Sequence, residues 1–86
     1  MQIIYSSKFE REYRKLSPEL KSVAKKKEKI FRKNPFSPVL ETHKLHGKLH
    51  PNWAFSISRS HRIIFEFASE EMVHFHSVGN HDIYKK

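Results

Sequence analysis

Residues 53–78 read WAFSISRSHRIIFEFASEEMVHFHSV, and the period of this stretch decides the fold. Trp53, Phe55 and Ile57 alternate with Ala54, Ser56 and Ser58. Ile63, Phe65 and Phe67 alternate with Arg62, Ile64 and Glu66. Val73 and Phe75 alternate with His74 and His76. Apolar residues at every second position are the mark of a β-strand with one face buried. Ser60 and the Ser69-Glu70-Glu71 stretch interrupt the alternation and supply the turns. The reading is a three-stranded meander. Phe55, Ile57, Ile63, Phe65, Val73 and Phe75 lie on its core face, and Arg62, Glu66, His74 and His76 on the other.

Upstream the period changes. Phe9, Tyr13 and Leu16 fall at i, i+4 and i+7, one face of a helix. Ser7 and Glu10 have capping-box spacing at its start. Ser17-Pro18 opens a second helix with an N-cap and a first-turn proline. Its apolar stripe is Leu20, Val23, Ala24, Ile30 and Phe31, with Lys27 as the exception. Its outer face carries Lys21, Lys25, Lys26, Lys29, Arg32 and Lys33. Asn34-Pro35-Phe36-Ser37-Pro38 ends the helix. The segment from there to about Pro51 has no clean period and reads as a loop. Gln2-Ile3-Ile4-Tyr5 is a short strand. The expected fold class is α+β, in the order β-α-α-β-β-β. Both helices pack on one face of a small, mostly antiparallel twisted sheet, leaving a polar, concave second face bordered by loop 39–51 and the tail from Gly79.

Eighty-six residues are read as one domain, 1–86. A chain of this size buries only about 60% of its unfolded surface. It has no cysteine, so disulfides and thiolate metal sites are excluded. Met1 leads straight into a strand and a charged helix, with no signal-peptide pattern. No apolar run approaches the roughly 20 residues needed to span a bilayer. The chain is read as soluble and cytoplasmic, with no membrane partner. The net charge of +8 points to nucleic acid or an acidic protein segment as partner.

The chemistry concentrates near the C-terminus. Gly79-Asn80-His81-Asp82-Ile83-Tyr84 places an imidazole, a carboxylate and a phenol directly after a strand. Arg59 and Arg62 flank the turn before the middle strand of the meander, and His43 stands four residues before Gly47. Imidazoles exchange protons near neutral pH, and arginine forks grip phosphate. These are the parts of a ribonuclease. His43 and His81 are candidates for base and acid, Arg62 and Arg59 for the phosphate clamp, and Tyr84 for stacking or proton donation. Trp53 reads as core rather than as a stacking platform. Seven histidines also invite a metal. His43, His46 and His50 lie in a loop, however, where their spacing gives no convergence, and no His-Glu-x-x-His helix is present. No metal and no cofactor are expected.

The order of elements, together with Leu45-His46-Gly47, Trp53-Ala54-Phe55-Ser56-Ile57-Ser58-Arg59, Arg62-Ile63-Ile64-Phe65-Glu66 and Val78-Gly79-Asn80-His81-Asp82-Ile83-Tyr84, resembles the RelE/ParE superfamily of bacterial toxins. The match runs over nearly the whole chain. It implies a toxin of a type II toxin–antitoxin system, a ribosome-dependent endoribonuclease that cuts mRNA in the A site and inhibits translation. His43 matches the base position of the YafQ-like branch, His81 the C-terminal acid, Tyr84 the aromatic that follows it, and Arg62 the arginine of the RelE and YoeB branches. His61 stands where the YafQ-like branch has an aspartate, so the chain mixes branch patterns. Lys44, His46, Lys48, His50, Arg59 and His61 are expected on the RNA. The implied partners are an acidic antitoxin, the ribosome and mRNA. The outer face of the second helix is expected to meet ribosomal RNA, with an affinity that falls as salt rises. Two other classes remain open: a ParE-like inhibitor of DNA gyrase, and a catalytically inactive module that binds RNA or antitoxin.

Overall fold

The computed structural model describes residues 1–84, apart from the side chain of His81. Five strands form one mixed sheet in the order β1-β5-β4-β3-β2. The strands are β1 (Gln2–Tyr5), β2 (His43–Lys44), β3 (Trp53–Ser56), β4 (Arg62–Phe67) and β5 (Met72–Gly79). β1 runs parallel to β5, and the other pairings are antiparallel. Helices α1 (Ser7–Arg14) and α2 (Pro18–Lys33) follow β1. The expected α+β architecture is the observed one. The stretch expected to be loop holds more order than its sequence indicates. It contains β2 on the sheet edge and two 3-10 turns, Pro38–Leu40 and Gly47–Leu49. Two paired residues are too few to show a period.

Serines start both helices. Ser17 Oγ accepts from the Leu20 N–H at 3.2 Å ahead of Pro18. The α1 cap is Ser6, one residue before the expected Ser7. Its hydroxyl accepts from the Phe9 N–H at 2.9 Å and donates to the His76 carbonyl at 3.0 Å. The position that touches β5 wins over the capping-box spacing, because one hydroxyl there joins helix start and sheet. Lys27 is the polar member of an apolar stripe, and its half-buried stem carries Nζ out to the Val39 carbonyl at 3.5 Å.

The core lies between the helices and the sheet. Ile3, Phe55, Ile57, Ile63, Phe65, Val73, Phe75 and Val78 meet Phe9, Ala24 and Phe31 from the helices. Phe31 is fully buried, with ring centroids 4.8, 4.9 and 5.5 Å from Phe55, Phe65 and Phe75. Trp53 packs against the same core beside Phe36 and Phe67, as its sequence context predicts. Alternation breaks once in β5. A bulge opposite Ile64 and Phe65 pairs Phe65 with Phe75 but Ile64 with Ser77. Glu12 of α1 serves the bulge, accepting from Ser77 Oγ at 2.7 Å and from the Val78 N–H at 3.0 Å. On β1, Tyr5 donates to Glu28, which also pairs with Arg32 at 3.3 Å. No helix among the described residues is long and apolar enough to cross a membrane.

Two predictions follow from this packing. Phe31→Ala removes a ring that touches three strands and costs about 3–5 kcal/mol, most of the stability of a small domain. Urea unfolding will show it largely unfolded. The second concerns the three tyrosines. Tyr5, Tyr13 and Tyr84 all have phenol pKa values raised above 10.0, with burial as the largest cause in each. Folding therefore favours the protonated phenols. Their contribution to stability is intact below pH ~10, where unfolded tyrosine ionises, and is lost as pH rises through the higher native values. Absorbance titration will give native midpoints above those measured in urea, and urea midpoints will fall above that pH.

Candidate functional site

The second face of the sheet is not the polar, concave surface expected. A second apolar cluster of Leu45, Ala54, Ile64 and Ile83, flanked by Leu49 and Tyr84, covers its middle. The 45–49 segment and the C-terminal 3-10 turn His81–Tyr84 fold over this face rather than bordering it. Polar groups remain at its two ends. Strand parity missed this because Ala54 and Ile64 lie on the face that the alternation marks as polar.

Register places the candidate residues. Directly paired residues share a face in an antiparallel sheet. His43 pairs with Ala54, which pairs with Ile64. Arg62 pairs with Ser56 on one side and Gly79 on the other. His43 and Arg62 thus lie on the same face, two strands and one residue pair apart, roughly 12 Å between backbones from strand geometry. Lys44 is the next residue and faces the other way. Its Nζ sits over the Trp53 ring, 5.4 Å from the centroid, on the helix side. The structure therefore does not bring Lys44 to the surface that holds His43 and Arg62.

His43 is exposed but fixed. Its Nδ1 lies 3.0 Å from the Glu41 carbonyl oxygen. A carbonyl only accepts, so Nδ1 carries the proton and the neutral ring keeps its lone pair on Nε2. Glu41 takes the left-handed conformation, with φ 51°, just after the 38–40 turn. Its carboxylate accepts from Ser56 Oγ at 2.9 Å. One residue thus orients the imidazole through its backbone and ties its own segment to β3 through its side chain. Nothing in the sequence marks Glu41 for either task.

Arg62 holds the β3–β4 turn. Nη1 donates to the carbonyls of Ser58, Arg59 and His61 at 2.7, 3.2 and 3.0 Å. Ser58 Oγ accepts from the His61 N–H at 3.2 Å, and Ser60 Oγ meets His61 Nδ1 at 2.7 Å. Arg59 and His61 are therefore carried on a turn organised around Arg62. Tyr84 is half-buried on the apolar cluster. Burial raises its phenol pKa and the Arg62 charge lowers it, burial prevailing. The phenol is a proton-bearing group at neutral pH. His46 and His50 bracket the 47–49 turn, and with Lys48 they are exposed along the 45–50 segment. His50 extends towards a cavity of about 300 Å³ that it shares with Asn52 and Glu66. The His81 backbone starts the C-terminal turn two residues after Gly79, the partner of Arg62, and its side chain lies outside the described residues.

No protein-family model matches the chain, and no curated protein matches it by sequence. Solved structures do. YafQ from E. coli strain BL21(DE3) superposes with TM-score 0.82 at 15% identity, over 99% of this chain and 98% of that one. A YoeB/ParE toxin from Agrobacterium tumefaciens gives TM-score 0.79 at 14% identity, over 94% and 99%. The chain has the RelE-like toxin fold. The YoeB–YefM complex from Staphylococcus aureus matches it as well, with TM-score 0.76 at 15% identity, over 94% of this chain and 97% of that one.

Within this RelE-like fold the C-terminal turn is seated by a glycine. A Cβ on Gly79 would stand 2.6 Å from Ile83 Cγ2, inside van der Waals contact. Ile83 folds back over that gap, and its N–H reaches the Asn80 carbonyl at 3.1 Å. Gly79→Ala will push Ile83 away, at a cost of about 1–3 kcal/mol. The Ile83 amide will exchange with solvent faster than in wild type, while amides of β4 change little.

Proposed function

We propose that this chain is the toxin of a toxin–antitoxin pair and that it cuts mRNA bound in the ribosomal A site. The observation that carries this reading is the His43 imidazole, held by Glu41 with Nε2 as its acceptor, on the same sheet face as Arg62 and Tyr84. The RelE-like fold supports it.

The chemistry balances within the RNA. His43 Nε2 takes the proton of a ribose 2′-OH, and the 2′-oxygen attacks the adjacent phosphorus. Charge builds on the non-bridging oxygens, where the Arg62 guanidinium stabilises it. The bond to the 5′-oxygen breaks and His81 supplies the proton that oxygen needs. The products are a 2′,3′-cyclic phosphate and a 5′-OH. Tyr84 provides a protonated phenol and an aromatic face beside Arg62, for a base or a phosphate oxygen. Arg59, His61, His46, Lys48 and His50 line the approach for the RNA backbone, and Lys44 does not. The net charge of +8 gives the RNA a sequence-independent attraction.

The partner in this reading is an acidic antitoxin segment that covers the same face. The YoeB–YefM complex shows that a protein of this fold pairs with a second chain. A complex of this chain in which His43 and Arg62 stayed open to RNA would remove occlusion as the means of neutralisation.

The deciding assay is cleavage of a translated mRNA on purified ribosomes. Wild type will cut within A-site codons. His43→Ala, Arg62→Ala and His81→Ala will each lower the rate by about 10²-fold or more, the range for a positioned acid or base and for a donor that stabilises developing charge. Arg62→Lys separates charge from turn organisation, since a lysine keeps the charge but cannot reproduce the fork. Folded wild type that leaves mRNA intact overturns the nuclease reading, and a supercoiling assay with DNA gyrase then reads the other activity open to this fold.

A further inference from the structure

The end of the free sheet face away from Arg62 holds a second group of side chains with its own chemistry. β4 contributes Glu66, and β5 contributes His74 and His76. Register pairs Glu66 with His74. His76 follows two residues along β5, at the bulge. One ligand atom from each of the three lies within 4.8 Å of the others. His76 Nε2 and Glu66 Oε1 are 3.0 Å apart. The two imidazoles meet edge to face, with centroids 6.0 Å apart. All three side chains are half-buried, partly desolvated yet open to an ion. Arg62 lies four residues back along β4, about 13 Å by strand rise, so this group is separate from the phosphate clamp proposed above.

We propose that Glu66, His74 and His76 form a binding site for a zinc-class divalent ion, which ties β4 to β5 at the bulge. Two imidazoles and a carboxylate are a preferred donor set for such ions, and magnesium or calcium would want oxygens in their place. Around a tetrahedral ion with bonds of about 2.0–2.1 Å, ligand atoms stand roughly 3.4 Å apart. One pair stands at 3.0 Å and the rest within 4.8 Å, so small rotations about side-chain bonds close the site and the paired strands need not move. Binding exchanges the single His76–Glu66 hydrogen bond for two metal bonds and offsets the Glu66 charge. Three protein ligands leave a fourth position. The cavity of about 300 Å³ beside Glu66 gives a water room to fill it. An ion held only by the folded sheet stabilises it in proportion to its concentration. The site stands independently of the nuclease reading.

The test is titration of the full chain with Zn²⁺, followed by calorimetry and by thermal unfolding. The expected result is a site that raises Tm as Zn²⁺ is added, with no such rise in Mg²⁺. Glu66→Gln and His74→Asn will each weaken binding by more than about tenfold, since losing a ligand costs at least what losing its supporting partner does. Glu19→Gln, an exposed carboxylate in the first turn of α2, will bind as wild type does. Glu66→Gln nearly preserves shape and keeps an acceptor for His76, so it reports on the site even if His74→Asn folds poorly. Absence of Zn²⁺ binding to folded wild type overturns the proposal. So does binding that survives Glu66→Gln and His74→Asn.

Discussion

Phe31 is the point through which the helices hold the sheet. Its ring is fully buried and touches Phe55 on β3, Phe65 on β4 and Phe75 on β5. Three strands are thereby fixed to α2 by one side chain. Aromatic edges and faces in such contact add about 0.5–1.5 kcal/mol per pair beyond burial. With the helix side of the sheet sealed in this way, the opposite side is the one left to carry exposed polar groups. The position of His43, Arg62 and Tyr84 on that opposite side follows from the core.

That side is built by pieces with little secondary structure of their own. β2 has two residues, and the turns at 38–40, 47–49 and 81–84 are single 3-10 turns. Specific contacts fix several parts of this side. Glu41 joins the β2 segment to Ser56 and aims His43. Arg62 gathers three carbonyls of the β3–β4 turn. Ile83 drops onto Gly79. Orientation therefore comes from a few hydrogen bonds and one close approach, where the core relies on area.

The strands and helices were legible in the sequence because long periodic segments leave a clear signature, and Phe55, Phe65 and Phe75 went to the core as their parity required. Two features were not legible. β2 is too short to have a period. The apolar cluster on the second face joins Leu45 and Ile83, which are far apart in the chain, and local alternation carries no information about such a meeting. The meeting of Glu66, His74 and His76 was only partly legible: alternation put all three on one face, but their convergence depends on the register across the bulge at His76. Of the candidate site, His43, Arg62 and Tyr84 were brought to one face, and Lys44 was not. The spacing of a histidine and a lysine that are neighbours on a strand already places them on opposite faces, a signal that the composition of the segment obscured.

The period of two that organises β3 and β4 also divides the ways this chain can change. Odd-numbered positions there face the helices and answer for whether the protein folds. Even-numbered ones face the opposite side, where Ala54 and Ile64 hold the second apolar cluster and Arg62 and Glu66 are left for what the chain binds or does. A substitution at one parity leaves the other nearly untouched, since successive side chains do not share neighbours. Drift in chemistry and retention of architecture can therefore proceed on the same strand at different speeds. A superposition with TM-score 0.82 at 15% identity is what such a partition allows.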